Sequence, residues 1–225
     1  MSENFLDKRS ILVNQIQEYL KKGKIIDFEK LIPYIKERSS KSSININENG
    51  IRYILKSLFK NNYIVQGSKF TRDCVLNNSN RKKLYITIIQ NPGLYFTRLV
   101  KMLNLSNHVV AWHINTLYKF GFIKKEIIDN HEVYFDSKFE SIYIKAYYLL
   151  QKPKSKEIIE CLINEHNLGI TKTRISTITN THYNIVSKYI ENLEDISIIE
   201  RKKESDKTLY FLNKDQYNRY KITKI

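Results

Sequence analysis

One stretch limits the folds open to this chain more than any other. From Asn80 to Phe135 three helical patterns are followed by two short alternating segments with a turn between them. Arg81–Gln90 carries Leu84, Ile88 and Ile89 on one face, the spacing of a half-buried helix. Asn91-Pro92-Gly93 stops it, since proline cannot continue a helix and glycine supplies a turn. Thr97–Leu103 is a second short helix with Leu99, Val100 and Leu103 inward, and Asn104-Leu105-Ser106 makes a tight corner. Ser106 is a good N-cap for the third helix, Asn107–Phe120, whose stripe is Val110, Ile114 and Leu117 and which Gly121 ends. Phe122–Ile127 and His131–Phe135 read as strands around Ile128-Asp129-Asn130.

Helix, helix, sharp turn, helix, hairpin resembles the winged helix-turn-helix transcription regulators of archaea and bacteria, in the manner of ArsR/MarR-like repeats. The resemblance is carried by Asn91-Pro92-Gly93-Leu94, by Leu103-Asn104-Leu105-Ser106, and by Val110, His113, Ile114 and Leu117 running into Gly121-Phe122-Ile123. It covers about a quarter of the chain and rests on pattern and spacing; no residue in it is catalytic or metal-binding.

The same order of elements recurs on both sides. Before it, Ser10–Leu20, Phe28–Ile35 and Asn47–Lys60 are helical, the last with Ile51, Ile54, Leu55 and Leu58 inward. Pro33 lies awkwardly in the second of these, so that helix either starts there or is kinked there. Glu37–Ser43 reads as a serine-rich loop, and Tyr63–Val65 and Cys74–Leu76 as strands around Gln66-Gly67-Ser68. After it, Asp136–Lys152 is a strongly apolar connector, and Pro153 opens a third round: Lys154–Glu165, Gly169-Ile170, Thr171–Ile178, a corner at Thr179-Asn180-Thr181, and His182–Leu193 with Val186, Ile190 and Leu193 inward. Strands Ile196–Glu200 and Thr208–Leu212 flank the loop from Arg201 to Lys207, and Asn213–Ile225 adds a last helix. Leu58 to Leu117 is 59 residues and Leu117 to Leu193 is 76, the difference being about the length of the connector. The expectation is a mainly α chain with small β-hairpins (α+β) built of three tandem winged-helix domains: a divergent one at 7–76, the best match at 77–136, a connector helix at 137–152, and a third at 153–225 with a C-terminal extension.

Charge bears on function. The 225 residues carry 38 Lys and Arg against 23 Asp and Glu, a net charge of +15, which attracts polyanions and above all nucleic acid. The chain is also crowded with Ile, Asn, Lys and Tyr, residues of A/T-rich codons, so the lysine excess does not by itself indicate a nucleic-acid partner and only clustering on the right element counts. No run of eighteen apolar residues suggests a membrane span, and the first ten residues lack the apolar core of a signal peptide, so a cytoplasmic, nucleoid-associated protein is expected. Cys74 and Cys161 read as free, buried thiols.

In a helix-turn-helix the third helix enters the major groove with its N-terminal residues at base edges. In the middle unit the positions off the apolar stripe are Asn107, His108, Ala111, Trp112 and Asn115. Asparagine pairs bidentately with adenine, and histidine donates to guanine or phosphate. Trp112 suits sugars, thymine methyls or a partner subunit, and His113 is assigned to the core. Lys124 and Lys125 begin the middle wing. In the third unit the equivalents are Tyr183, Asn184, Ser187 and Lys188, with Arg201, Lys202, Lys203 and Lys207 on the wing where a phosphate backbone would pass. In the first, Arg52, Lys56 and Lys60 line one helix face, with Lys41, Lys69 and Arg72 in flanking loops. Each basic cluster is equally what a soluble surface requires.

No phosphate-binding glycine loop, metal-ligand spacing or nucleophile–base arrangement is present, so neither an enzyme nor a cofactor is expected. The leading expectation is a sequence-specific DNA-binding transcription regulator of archaeal type, with double-stranded DNA as partner and a homodimer plausible. The alternative is a protein-interaction adaptor that does not bind DNA, because tandem winged helices also resemble those of ESCRT-II subunits and polymerase-associated factors. The Trp112 face or the tyrosines of the Tyr143–Tyr148 connector would then meet the partner.

Overall fold

Three helices of thirteen residues share one local plan: α3 (Glu48–Lys60), α6 (Asn107–Lys119) and α10 (Tyr183–Asp195). Each opens on a residue whose side chain accepts a hydrogen bond from an early backbone N–H. Asn47 takes that of Gly50, Ser106 that of Val109 and His182 that of Asn184. Fifteen residues after the cap each chain segment turns through a left-handed residue, at Asn62 (φ 53°), Gly121 (φ 66°) and Ser197 (φ 59°). Between cap and turn the stripes Ile51/Leu55/Leu58, Val110/Ile114/Leu117 and Val186/Ile190/Leu193 are buried, each side chain contributing about 1.5–3 kcal/mol of burial.

The computed structural model describes residues 2–41, 46–165 and 168–222. Its other helices are α1 (Ser2–Lys21), α2 (Phe28–Lys41), α4 (Ser79–Gln90), α5 (Phe96–Leu103), α7 (Ile144–Gln151), α8 (Pro153–Asn164), α9 (Lys172–Ile178) and α11 (Lys214–Ile222). The strands are β1 (Leu94–Tyr95), β2 (Ile123–Ile128), β3 (His131–Asp136), β4 (Ile199–Glu204) and β5 (Lys207–Leu212). The protein is therefore mainly helical with small antiparallel sheets. The chain divides into two compact units, residues 1–85 with 105–122, and residues 86–104 with 123–225.

In the first unit α1, α2 and α3 enclose a core that includes Leu12, Ile16, Leu31, Ile35, Ile51, Leu55, Leu58 and Ile64. Asp27 caps α2 by accepting from the Lys30 N–H at 3.0 Å, and the helix runs on through Pro33, whose ring is exposed. Expected loop residues Glu37–Lys41 belong to this helix; Ser42 and Ser43 lie outside the described residues. The expected strands at Tyr63–Val65 and Cys74–Leu76 are not formed: Arg72–Asn77 is a short 3-10 helix. The reason lies in the backbone bonds. The Tyr63 and Ile64 N–H groups donate back to the Leu58 carbonyl and the Cys74 N–H to the Thr71 carbonyl, so the donors a hairpin would have paired are spent locally, while the α1–α2 linker holds the expected turn, with Ile26 N–H donating to the Ser68 carbonyl and Gly67 N–H to the Ile26 carbonyl, both at 2.8 Å. Cys74 is exposed rather than buried; Cys161 is buried, and both are free.

In the second unit β1, β3 and β2 form an antiparallel sheet in that order, joined at the tip by Asp129 and Asn130, both at positive φ. Strands β4 and β5 form a second hairpin, and Ile170 bridges to Tyr210 of β5 as β1 does to β3. The correspondence is residue by residue at a constant offset of 76 positions. Gly93 and Gly169 are both at positive φ, Leu94 opposes Tyr134 as Ile170 opposes Tyr210, Leu99 and Ile175 are both fully buried, and Asn104 and Asn180 are both left-handed corners. The adaptor reading expects the connector to offer its tyrosines as contact surface, whereas a connecting helix would pack them. Instead Tyr147 and Tyr148 lie in the core with Phe135, Ile158 and Ile190, Tyr143 is half-buried, and the large apolar side chain left exposed is Ile142. That burial follows from Gly93: a Cβ there would meet the Tyr148 backbone at 3.1 Å, so only glycine lets α7 come this close.

Candidate nucleic-acid interface

α6 buries Val110, His113, Ile114, Thr116 and Leu117 and leaves Asn107, His108, Ala111, Trp112 and Asn115 exposed. The five expected base-facing positions thus share the outer face of one helix. Their chemistry is amide, imidazole, methyl and indole; the first cation on that helix is Lys119. His113 is buried with its Nδ1 unpartnered, and burial, then the nearby Arg81 charge, pushes its pKa below the usual histidine value.

Arg81 is itself 3% exposed. Its Nη1 donates to the Val75 carbonyl at 2.7 Å, and its guanidinium lies 4.9 Å from the Phe70 ring centroid and 4.8 Å from that of Trp112. Phe70 stacks on Phe120 at 5.4 Å. Rings and cation form a pile under a Trp112 that remains 53% exposed. The sequence pattern does not reveal this group, because its members come from segments distant in the chain and only Phe120 has a readable core position.

The other cations of this unit are mostly engaged. Arg52 pairs with Glu48 at 3.1 Å and approaches Glu29 at 3.8 Å, which removes it from the basic face expected with Lys56 and Lys60. Arg72 donates to the Gly121 carbonyl at 3.2 Å and lies over the Phe122 ring, so it holds the end of α6 rather than lining a loop. Lys56, Lys60, Lys41 and Lys69 are exposed, Lys41 in contact with Glu37 at 2.6 Å.

In the second unit the corner before α10 is fixed by Ser176, whose hydroxyl donates to the Thr181 carbonyl at 2.6 Å while the Thr181 N–H donates back to the Ser176 carbonyl at 3.0 Å. Tyr183, Asn184 and Lys188 are exposed on α10 and Ser187 is half-buried. The expected cationic loop is instead strand and turn. Arg201, Lys202 and Lys203 belong to β4, opposite Tyr210, Leu209 and Thr208, and Lys207 opens β5 after a turn at Ser205-Asp206. Successive strand residues face opposite sides, so the four cations divide between two faces, all exposed. Arg201 lies 3.6 Å from Glu194 at the end of α10, and Lys202 sits over the Phe211 ring. The earlier hairpin is different: Lys124 donates to Ser141 at 3.2 Å and Lys125 pairs with Glu132 at 3.2 Å.

No helix among the described residues is long and apolar enough to cross a membrane. No family model matches the chain. It is similar to an uncharacterised HTH-type transcriptional regulator of Methanocaldococcus jannaschii, 28% identical over 141 residues. The similarity covers 62% of this chain and 34% of that protein, so the chain spans about a third of the length of its relative.

Proposed function

We propose that this chain is a sequence-specific DNA-binding transcription regulator, cytoplasmic and nucleoid-associated, made of tandem winged helices at 77–136 and 153–225 that follow a related helical region without a wing at 7–76. The observation that carries the reading is the third region, where one compact unit presents a capped corner helix with polar residues exposed at its N-terminal end beside a hairpin carrying four exposed cations. In this reading Asn184 and Lys188 meet base edges in the major groove, Tyr183 and Ser187 the sugar-phosphate wall, and Arg201, Lys202, Lys203 and Lys207 neutralise phosphates. The name of the archaeal relative supports the same class. A homodimer would bring two such helices to successive grooves.

The test is binding of the full chain to duplex DNA by fluorescence anisotropy across a salt series. Affinity falling steeply with salt is expected, at about 0.9 in the log–log slope per phosphate neutralised. No binding at low salt overturns the reading. One observation favours a second reading in that event: the outer face of α6 has no Lys or Arg before Lys119 and exposes Trp112, as a protein-binding adaptor surface would.

A further inference from the structure

Helix α8 begins without a side-chain cap. Pro153, its first residue, brings no N–H, and Lys152 at the cap position makes no side-chain bond to the first turn. The amides of Lys154 and Ser155 therefore stand uncapped at the positive end of a twelve-residue helix. The Lys152 side chain lies half-buried, with Nζ 4.2 Å from the centroid of the Tyr148 ring. We infer that this end of α8, with Lys152 beside Lys188 of α10, binds a phosphate group.

Two observations specify an anion there. The first is charge. Burial pushes Lys152 below the usual lysine value, the Lys188 charge adds to that, and Asp129 at the tip of the β2–β3 hairpin offsets part of it. Lys152 and Lys188 form no ion pair among the described residues, Asp129 included, while Glu157 in the first turns of α8 is committed to Lys154 at 2.7 Å. Two ammonium groups that repel each other beside a helix N-terminus are relieved by an anion, and neither has one. The second observation is idle polar groups. Tyr148 is 1% exposed, and its hydroxyl makes no hydrogen bond of normal geometry. Burial, then the Asp129 charge, pushes its pKa up to about 12, so at neutral pH it is a donor. Lys152 covers that ring, so an ammonium that turns outward to a phosphate opens the hydroxyl to the same anion. Ser155, in the first turn of α8, is 0% exposed, and its hydroxyl also lacks a partner. Buried donors left without acceptors cost stability that an anion restores.

Lys188 lies on the exposed face of α10, so a phosphate at Lys152 borders the surface that would enter the major groove. The expected source is therefore the backbone of duplex DNA. That source, unlike the site itself, rests on the DNA-binding reading; free inorganic phosphate is the other source of the same group.

Two measurements on the full chain separate them. In the anisotropy salt series Lys152→Gln should make the log–log slope shallower by about 0.9 and weaken binding about fivefold near 0.1 M salt. Lys156→Gln, also on α8 but lining the cleft against Tyr217 and Tyr220 of α11, should leave both within error. Melting in about 50 mM sodium phosphate, against sodium chloride of equal ionic strength, reads the free anion: if that is the source, the wild type melts about 2 °C higher in phosphate and Lys152→Gln does not. A slope change specific to Lys152 assigns the site to the DNA backbone. An unchanged slope with a Lys152-dependent melting shift assigns it to free phosphate. Neither effect, or equal slope losses in the Lys152 and Lys156 variants without a melting shift, overturns the proposal. If the wild type binds no DNA, it is the regulator reading that fails, and the melting comparison still decides the site.

Discussion

α6 and α10 have the same length, the same kind of cap and the same buried stripe, and opposite outer faces. α6 presents an indole, an imidazole, two amides and a methyl, flanked by an aromatic cleft. α10 presents a phenol, an amide and an ammonium group, with four exposed cations on the hairpin that follows it. The hairpin after α6 has its two lysines engaged with Ser141 and Glu132. The buried stripe defines the element, while the outer face is free to diverge because folding does not constrain it. The two copies therefore need not share a task, and we assign polyanion binding to the later one.

The sharpest way to break that assignment is to neutralise each hairpin in turn. Arg201→Gln, Lys202→Gln and Lys203→Gln together should make the salt slope shallower by up to about 2.7, at about 0.9 per phosphate lost. Lys124→Gln with Lys125→Gln should change it by less than about 1, because both side chains are half-buried against their partners, whereas Arg201, Lys202 and Lys203 are exposed. Equal losses from the two sets would mean that the copies share the work.

The glycines that open each copy give a smaller contrast. Gly93 (φ 86°) faces the Tyr148 backbone, which cannot swing aside, so Gly93→Ala should cost about 1–3 kcal/mol in urea unfolding. Gly169 (φ 70°) faces the Phe211 ring, which an added Cβ would overlap, and Lys202 rests on that ring. Gly169→Ala should therefore also weaken DNA binding, whereas Gly93→Ala leaves the affinity of the folded fraction unchanged. Gly23→Ala, with open space and a φ of 73°, should cost only backbone strain of about 1 kcal/mol.

What was legible in the sequence follows the same division. Caps, corners and stripes were readable because they depend on spacing along the chain: Ser106, Gly121 and the Val186/Ile190/Leu193 stripe lie where their pattern placed them. The expected hairpin after Tyr63 failed because its strand donors bond to Leu58 and Thr71 and its turn is held at Ile26, choices that an alternating pattern does not encode. The tyrosines of the connector looked like surface only because period alone does not say which partner an aromatic face meets; Gly93 was the available signal, a glycine that permits close approach. The Phe70–Arg81–Trp112 pile carried no such signal at all.

The least of the expected effects separates the copies by pH. The position held by His113 in α6 is Ile54 in α3 and Tyr189 in α10, so only the middle helix places a histidine there. Burial and the Arg81 charge lower the His113 pKa in the fold from the ordinary value of 6.5. The unfolded chain therefore binds the proton at a pH where the fold still refuses it. The stabilisation is complete above about pH 6.5 and is lost as the pH falls from there toward the folded pKa. A tenfold difference in proton affinity is worth about 1.4 kcal/mol. Urea midpoints of the wild type should fall between about pH 7 and pH 5, and His113→Leu should fall less over the same range, since leucine keeps the buried volume and has nothing to protonate. Parallel pH profiles would mean that the folded protein accepts the proton beside Arg81, and that the neutral imidazole is not what the α6 core requires.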